Sequence, residues 1–556
     1  MIAPRWHKVI RDLWINKTRT LLVVLSIAVG VAAIGMVLGS QRIVDEDLPA
    51  AYQAIRPADA IVILLTTFDD EVVEQIRSMP EVGAAEGRRV VIVRFQSPQS
   101  GEWYNMQLFA VPNFDDIQLN EVKPVSGAWP PPEQTILIER STLNESFGLE
   151  GVDVGDVLGI ETPDGTSKQV EIAGVAHDLS QLPAFLVGTA YGYITYDTLE
   201  WLGEPRNYNQ LIFKVAENGD DAAHLKAVGD AVQTRLERAG LQVIFVLINP
   251  PGEHPAQSFI DALSYILGAM GILSLVLSGF LIVNTLSAIL TQQVRQIGIM
   301  KAVGARTGQV TAVYFVMVLA FGVLSLFVSV PLGMLGARAL ANVFAWMLNF
   351  DVRAVIFNPT VVSLQVAIGL AVPLLAAALP VIRGSRTTVR EAISETGIGK
   401  GQFGQSWLDM FVVGLNAIIP MERPAQISLR NTFRRKGRLA LTLITLSLAT
   451  TIFISIFSVR ASLQQTLDDS LRYFDYDVQV QMSRPYRVQR LLREALAVEG
   501  VTEVESWGFG NVRRVRPDGT QSDGIIVYAP PADSGMIQPT LLKGVGWCGG
   551  HQRGGD

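Results

Sequence analysis

One short segment contains the side chains of a hydrolase triad: His177, Asp178 and Ser180 lie within four residues of one another. A working triad brings its three side chains together from distant parts of a chain, and neighbours on one loop rarely reach that geometry. The sequence also lacks the Gly-x-Ser-x-Gly turn that exposes a nucleophilic serine in many hydrolases. We therefore interpret this segment as a polar loop and predict no catalytic residue.

The sequence also shows no pattern of residues typical of a metal site or a nucleotide-binding site. The chain has one cysteine, Cys548, and its five histidines are scattered, at His7, His177, His224, His254 and His551. No phosphate-binding Gly-x-x-x-x-Gly-Lys-Ser/Thr motif occurs, because Gly397–Lys400 has neither the spacing nor the hydroxyl. We predict no cofactor, no metal site and no enzymatic activity of its own. ATP hydrolysis, if the protein needs it, must come from another chain.

The composition indicates a membrane protein. The 556 residues are 49% hydrophobic and only 17% charged, whereas soluble domains carry about 25% charged residues. Five apolar stretches are long enough to cross a bilayer, and none contains Asp, Glu, Lys, Arg or His. They lie at 21–38, 263–290, 310–337, 361–382 and 439–459. Since the net charge is −7, extensive nucleic-acid binding is excluded.

The basic residues beside these stretches predict the orientation. Residues 1–20 carry five Lys/Arg against one acid, 291–309 carry three and no acid, and 383–438 carry ten against four. Short cytoplasmic flanks are enriched in Lys and Arg, so all three segments are expected inside. Residues 41–260, with 33 acids and 14 bases, are expected outside. We predict a multi-pass protein of the bacterial cytoplasmic (inner) membrane with a cytoplasmic N-terminus.

These boundaries predict an α-helical membrane protein with an inserted α+β extracytoplasmic domain. Strands are expected at 60–65, 90–95, 136–138, 157–160, 170–175, 193–195 and 243–247, with helices at 69–79 and 222–239. The predicted domains are a basic cytoplasmic segment 1–20, a first span 21–40, an extracytoplasmic domain 41–260, a membrane domain 261–382 with three spans, a cytoplasmic linker 383–438, a fifth span 439–459 and a partial second extracytoplasmic domain 460–556.

The chain repeats itself at an offset of about 419 residues. Arg11–Leu25 aligns with Arg430–Ile444, Asp59–Val62 with Asp477–Val480, and Glu74–Val82 with Arg493–Val501. The order of basic helix, strand and amphipathic helix is therefore expected twice. The last 13 residues, GVGWCGGHQRGGD, contain six glycines and cannot build a core. We interpret them as a truncated or frame-disrupted end, with a flexible tail as the alternative, and the second copy as incomplete.

A short basic segment between the second and third spans, residues 295–305, reads RQIGIMKAVGA. The spacing of Ile297, Met300 and Val303 predicts a helix with one apolar face, and Gly304 is expected to end it. This segment is either a turn at the membrane surface or a peg that docks in the groove of a partner. As a peg, its partner-contacting residues would be Arg295, Gln296, Ile297, Gly298, Met300, Lys301, Val303 and Gly304.

Arg295–Ala305 resembles the R-E-I-G-I-L-R-A-L-G-A signature of FtsX-like permeases, the MacB and LolC/LolE group of ABC transporters. Other segments are similar to the same family, including its MacB-like periplasmic core domain. They are Lys17–Thr20, Lys436–Leu439, Gly127–Trp129, Glu139–Arg140, Gly155–Asp156, Gly174–Val175, Pro331–Gly333 and Pro380. Gln296 departs from the family, which has glutamate there, and this puts an ion pair with a partner in doubt.

The resemblance implies a permease subunit without catalytic activity, moved by a separate ABC-type ATP-binding subunit. It would transmit that motion across the membrane to the extracytoplasmic domain for efflux or for lipoprotein or lipid extraction. The alternative is a signalling transmitter that activates an extracytoplasmic enzyme; a third candidate is a membrane-anchored enzyme using residues 41–260. The expected partners are the ATPase subunit, a second permease (a homodimer or a sister chain), the lipid bilayer and an extracytoplasmic adaptor or cargo.

Overall fold

The computed structural model describes residues 4–15, 17–353, 358–393, 436–473, 475–480, 482, 486–515, 517, 521–532 and 534–537. Cys548, His551, Gly397–Lys400, most of the predicted linker and the glycine-rich end lie outside these residues. The chain divides into two compact units. One comprises Met1–Leu48 and Ala256–Phe457, and the other comprises Pro49–Pro255 and Ser458–Asp556.

The described helices are α1 (Pro4–Ile15), α2 (Lys17–Ala54), α3 (Asp70–Arg77), α4 (Ala184–Val187), α5 (Tyr196–Trp201), α6 (Ala222–Arg238), α7 (Gln257–Gln292), α8 (Val294–Ala302), α9 (Thr307–Leu348), α10 (Pro359–Ser385), α11 (Val389–Ile393), α12 (Lys436–Arg472) and α13 (Val488–Leu496). The described strands are β1 (Ala60–Phe68), β2 (Val82–Gln96), β3 (Trp103–Val111), β4 (Lys123–Gly127), β5 (Thr135–Glu139), β6 (Val157–Glu161), β7 (Ser167–His177), β8 (Ala190–Thr195), β9 (Tyr208–Val215), β10 (Val243–Ile248), β11 (Gly508–Val515) and β12 (Gln521–Ala529).

Among the described helices, five are long and apolar enough to cross a membrane: α2, α7, α9, α10 and α12. Each contains one of the apolar stretches found in the sequence. The 42 residues of α9 span about 63 Å, roughly twice the hydrocarbon thickness of a bilayer. The predicted fold class, a helical membrane protein with an inserted α+β domain, is confirmed.

The membrane helices pack through small residues and one buried amide. Gln365 of α10 is buried, and its Nε2 donates to the Val31 carbonyl oxygen of α2 at 3.3 Å and to the Ser329 carbonyl oxygen of α9 at 2.8 Å. Gly35 and Gly333 face this amide so closely that a Cβ on either residue would overlap it. The absence of side chains at these two positions therefore lets one amide join three helices.

The inserted domain is built on a mixed sheet with the strand order β10-β1-β9-β2-β3-β8-β5-β7-β4, and β6 pairs with β2 and β7. The long strand β2 pairs with β9 through residues 82–88 and with β3 through residues 89–96. It therefore belongs to two lobes, each with its own apolar core. The pairs β3–β8 and β5–β7 are parallel, and the other strand pairs are antiparallel.

Helices α3 and α6 cover the lobe that contains β1, β9 and β10. Each begins at an aspartate, Asp69 and Asp221, whose carboxylate accepts a hydrogen bond from a backbone N–H in the first turn. The apolar residues of both helices recur every three or four positions and enter the core beneath them; they are Val73, Ile76, Leu225, Val228, Val232 and Leu236. The predicted helices at 69–79 and 222–239 form close to their expected ends.

Five described strands were not expected from the sequence: β3, β4 and β9 in the inserted domain, and β11 and β12 in the second copy. The most consequential is β9, which lies between β1 and β2 and pairs with both. Polar residues occupy its first three positions, so its buried run is only Leu211–Phe213. In β4, Pro124 and four exposed positions give no alternating pattern. Tertiary pairing, which local periodicity does not report, determines both strands.

The repeat is visible in the strand register of the second copy. The pair Gly508↔Ala529 in β11–β12 lies 419 residues beyond Arg89↔Ala110 in β2–β3, on both strands. Helix α13 likewise corresponds to α3 at this offset. The strand expected at 477–480 is absent, since residues 475–480 form no strand. Its counterpart β1 is held by neighbours on both edges, and residues 475–480 show no such pairing.

Candidate functional site

The predicted peg forms a separate helix, α8, between the membrane helices α7 and α9. Gly304 ends it with φ +103°, a left-handed conformation that a side chain would strain. The N–H of Gly304 donates to the Lys301 carbonyl oxygen, and the N–H of Ala305 donates to that of Met300, both at 3.0 Å. The glycine therefore reverses the chain within a few residues and gives α8 a sharp end.

The apolar residues of α8 divide between two faces. Ile297 is 0% exposed and packs in the membrane-helix core, with Met300 beside it, whereas Val303 is 85% exposed. Ile299 is 51% exposed on the outward side. Thus Ile297, Met300 and Val303 do not share one face, and Ile297 anchors the helix to its own chain.

Sequence reasoning missed Ile299 as a member of the outward face. Arg295, Ile299 and Val303 recur every four residues, so they share the exposed side of the helix. The spacing can be read from the sequence, but it does not tell which face of the helix points outward. Of the other predicted contact residues, Gln296 and Gly304 are also exposed, whereas Gly298 is buried and Lys301 is partly buried.

A polar network connects α8 and the end of α7 to the N-terminal helix α1. Lys8 Nζ lies 2.5 Å from the Asp12 carboxylate and donates to Gln296 Oε1 at 3.2 Å. Gln293 Nε2 donates to Asp12 Oδ2 at 3.4 Å, and Gln293 Oε1 accepts from the Tyr314 hydroxyl at 2.7 Å. Gln296, the position where the resembling family has glutamate, therefore contacts a lysine of its own chain.

The other end of α8 is attached to the segment after α10. Lys301 Nζ donates to the Thr387 carbonyl oxygen at 2.8 Å, and Thr311 Oγ1 lies 2.7 Å from Ser385 Oγ. Helix α11 also packs against α8. Side-chain hydrogen bonds therefore hold α8 to its own chain at both ends.

In the α+β domain, the aspartate of the triad candidate, Asp178, bonds to a tyrosine hydroxyl and to a backbone N–H. The buried Asp178 carboxylate accepts from the Tyr193 hydroxyl at 2.5 Å and from the Ser180 N–H at 2.7 Å. Neither bond involves the imidazole of His177 or the hydroxyl of Ser180. The aspartate therefore fixes the loop to β8. Within the described ranges, no three His, Cys, Asp or Glu side chains gather as they would around a metal ion.

The two segments that lead out of the α+β domain are joined at their ends. Tyr52, near the end of α2, contacts His254 edge-on, with ring centroids 5.1 Å apart. Gln53 Nε2 donates to the Gly252 carbonyl oxygen at 3.1 Å. A cavity of about 330 Å³ lies beside them, lined also by Asp59 and other residues. These contacts join the end of α2 and the segment 249–255 into one structural element.

Acid is expected to loosen this element. Burial lowers the pKa of His254 to about 4, below its ordinary value of 6.5. A histidine with a depressed pKa stabilises the folded state above the unfolded pKa, and the stability is lost as pH falls from about 6.5 towards 4. The full effect is about 3 kcal/mol. The protection factors of the amides of Asn249, Gly252, Glu253 and His254, which are corrected for the intrinsic slowing of exchange in acid, should fall over this pH window.

The matched variants for this pH effect are His254→Phe and His224→Phe. The first keeps an aromatic ring against Tyr52 and removes the titrating group, so it should abolish the loss of protection in acid. The second changes a half-buried histidine on α6 and should retain it. Equal pH dependence in the wild type and in His254→Phe would contradict the assignment.

Comparison with known proteins places residues 268–389, which include α8, α9, α10 and most of α7, in the family described as FtsX-like permease C-terminal. The chain is 26% identical over 185 residues to a macrolide export ATP-binding/permease protein, MacB 1/2, of Paracoccus denitrificans (strain Pd 1222). That match covers 33% of this chain and 26% of the relative, so the chain spans about a quarter of the relative's length.

Two solved structures are similar to parts of the chain. The extracellular domain of the noncanonic ABC-type transporter YknZ from Gram-positive bacteria is 13% identical, with a TM-score of 0.23, covering 34% of this chain and 99% of that domain. The periplasmic region of MacB from Actinobacillus actinomycetemcomitans is 8% identical, with a TM-score of 0.24, covering 40% of this chain and 97% of that region.

Proposed function

We propose that the chain, whose residues 268–389 match the FtsX-like permease family, is an FtsX/MacB-type ABC transporter permease that transmits the motion of a separate ATPase subunit across the membrane. The resemblance found in the sequence is confirmed. In this proposal the chain itself hydrolyses no ATP, and the ATPase docks on the outward face of α8, formed by Arg295, Ile299 and Val303.

The observation that supports the proposal is that one side of α8 is buried against its own chain while the other side is exposed. Its inward residue Ile297 is buried in the membrane-helix core, while Val303 and Ile299 are exposed. Exposed apolar side chains next to a cation are typical of a protein-binding surface. Because Lys8 and Lys301 attach α8 to its neighbours, pressure on this surface would move α1, α7 and the end of α10 together.

The proposed orientation follows the charges on the short flanks. The basic segments 1–20, 291–309 and 383–438 would face the cytoplasm of a bacterial cell, where the ATPase resides, and the α+β domain would lie outside. The five apolar stretches contain no Asp, Glu, Lys, Arg or His, so they offer no charged route through the bilayer. We propose that the outside domain, with a second permease chain beside it, acts on the cargo.

The experiment is to isolate the tagged full-length chain from its own host membranes and to measure the ATPase activity that co-purifies with it. Val303→Asp should reduce this activity at least tenfold, because the contact would have to bury an unpaired carboxylate. Val154→Asp, at an exposed position of the α+β domain, is the matched control and should retain the activity.

Two results would overturn the proposal. Equal activity in the Val303→Asp and Val154→Asp preparations would remove α8 from the contact. ATP hydrolysis by the purified chain alone would contradict a separate ATPase. The cargo separates the remaining readings: a bound small amphiphile favours efflux, a bound lipoprotein or lipid favours extraction, and an extracytoplasmic enzyme whose activity follows ATP turnover favours the signalling alternative.

A further inference from the structure

The N-terminal helix α1 lies at the edge of the membrane because of its connection to α2. It ends at Ile15, and α2 begins at Lys17, so a single residue joins the two helices. The apolar stretch of α2 begins at Leu21, four residues later and about 6 Å along the helix axis. The Thr20 hydroxyl also donates to the Leu13 carbonyl oxygen at 3.0 Å, which fixes the end of α1 beside the start of α2.

Helix α1 has two apolar sides, and the membrane helices cover only one of them. Val9 is buried and Leu13 is partly buried in the core that contains residues of α2, α7 and α9. On the opposite side Ile10 is 57% exposed, Trp14 is 72% exposed and Ile15 is similarly exposed. This outer face of α1 requires an environment that accepts apolar side chains.

The outer face is also positively charged. Arg11 lies between its apolar residues and is exposed, and Lys17 Nζ lies 4.6 Å above the Trp14 ring. Asp12, the only acid among residues 1–20, lies on the other side of the helix, where it pairs with Lys8. Tryptophan flanked by lysine and arginine is characteristic of the boundary between lipid headgroups and acyl chains.

We propose that the outer face of α1 binds anionic phospholipid headgroups, with Ile10 and Trp14 inserted between the lipids and with Arg11 and Lys17 on the phosphates. The outer face of α1 is continuous with the lipid-facing surface of α2, and this favours the bilayer over a protein partner. The outer face passes into Leu21 and Leu22, exposed residues at the start of the spanning segment of α2, and a bilayer covers both surfaces at once. The ATPase surface on α8 plays no part in this proposal.

The first test measures lipid selectivity on the full chain. The protein is exchanged into mixed micelles of one part phosphatidylglycerol to nine parts phosphatidylcholine, and the lipid that remains bound after purification is quantified. The wild type should be enriched in phosphatidylglycerol over the bulk ratio. Arg11→Gln/Lys17→Gln should lose the enrichment, since each cation near an anionic surface changes affinity about fivefold.

The control removes the same charge elsewhere. Arg235→Gln/Arg238→Gln neutralises two exposed cations on α6 of the α+β domain and should leave the enrichment unchanged. A wild type at the bulk lipid ratio, or a double variant on α1 that is as enriched as the wild type, overturns the proposal. All four substitutions lie at exposed positions, so equal thermal melting of the two double variants shows that folding is not the cause.

The second test asks where the helix lies. In a Cys548→Ser background, a single cysteine at Ile10→Cys carries an environment-sensitive fluorophore in vesicles of the same composition. Its emission should shift to the blue and be quenched by brominated acyl chains, whereas a label at Ala231→Cys on α6 should report water. A label at position 10 that reports water, or that becomes apolar only when chains associate, overturns the proposal in favour of a protein partner.

Discussion

Gly127→Ala is expected to destabilise one lobe of the α+β domain by about 4 kcal/mol. Gly127 has φ +86°, and a Cβ there would overlap the Ala173 carbonyl oxygen and the Cα of Gly174 on the neighbouring strand β7. Gly127 and Gly174 are directly opposed in the β4–β7 pair, and the Ala128 N–H donates to the Ala173 oxygen at 2.9 Å. Since both overlapping atoms belong to the backbone, no side-chain rotation relieves the contact.

The matched control for this substitution is Gly151→Ala. Gly151 has φ +75°, but no atom lies within 4 Å of its added Cβ. This variant therefore isolates the conformational cost of a positive φ, about 1 kcal/mol. Hydrogen exchange of the β4 and β7 amides in the full chain measures both variants. Equal loss of protection in the two variants would show that close strand approach contributes nothing.

Gly35→Ala is expected to destabilise the membrane helices by about 3 kcal/mol. The new methyl group would overlap the amide of Gln365, and the amide would have to leave the carbonyl oxygens of Val31 and Ser329. A displaced amide inside a bilayer has no water to bond, which is why this small change has a large expected effect. Titration of the full chain with a denaturing detergent measures the free energy of unfolding.

A double-mutant cycle tests whether overlap with the Gln365 amide causes the loss of stability. In a Gln365→Ala background the methyl group meets no amide, so Gly35→Ala should then change the free energy of unfolding by less than about 1 kcal/mol. Gly268→Ala in α7, where no atom lies within 4 Å of the added Cβ, should have little effect in either background. Equal destabilisation by Gly35→Ala with and without Gln365 would contradict the proposed contact.

The membrane helices were predictable because their signal is local. A bilayer excludes water from every face of a spanning helix, so runs such as 310–337 are apolar throughout and need no knowledge of their neighbours. The hydrogen bonds of Gln365 to α2 and α9 were not predictable, since a glutamine in an apolar helix does not indicate which carbonyl groups it will reach. Its partners lie on helices more than 30 residues away in the chain.

In the α+β domain, the elements with a clear local signal were predictable, as β1 was from its apolar run and α3 from its capping residue. Strands that are determined by pairing with distant strands were not. Strand β9 has a short apolar run but holds the first lobe together through two neighbours. For the candidate site, the sequence indicated a short helix ending at Gly304; the observed helix ends at Ala302, and Gly304 follows with a left-handed φ of +103°. It did not indicate that Ile297 would turn inward and Ile299 outward, because that choice depends on the helices that pack around α8.

The repeated hairpin β11–β12 has a consequence for the second copy. Val512, Ile525 and Val527 occupy the positions of Val93, Met106 and Leu108, which are core residues of the first copy. In the second copy these three side chains are exposed. Within the described residues, β11 and β12 pair only with each other. A two-stranded ribbon is marginal in water, so the lifetime of this hairpin in a cell would depend on what shields these aliphatic side chains from chaperones and proteases.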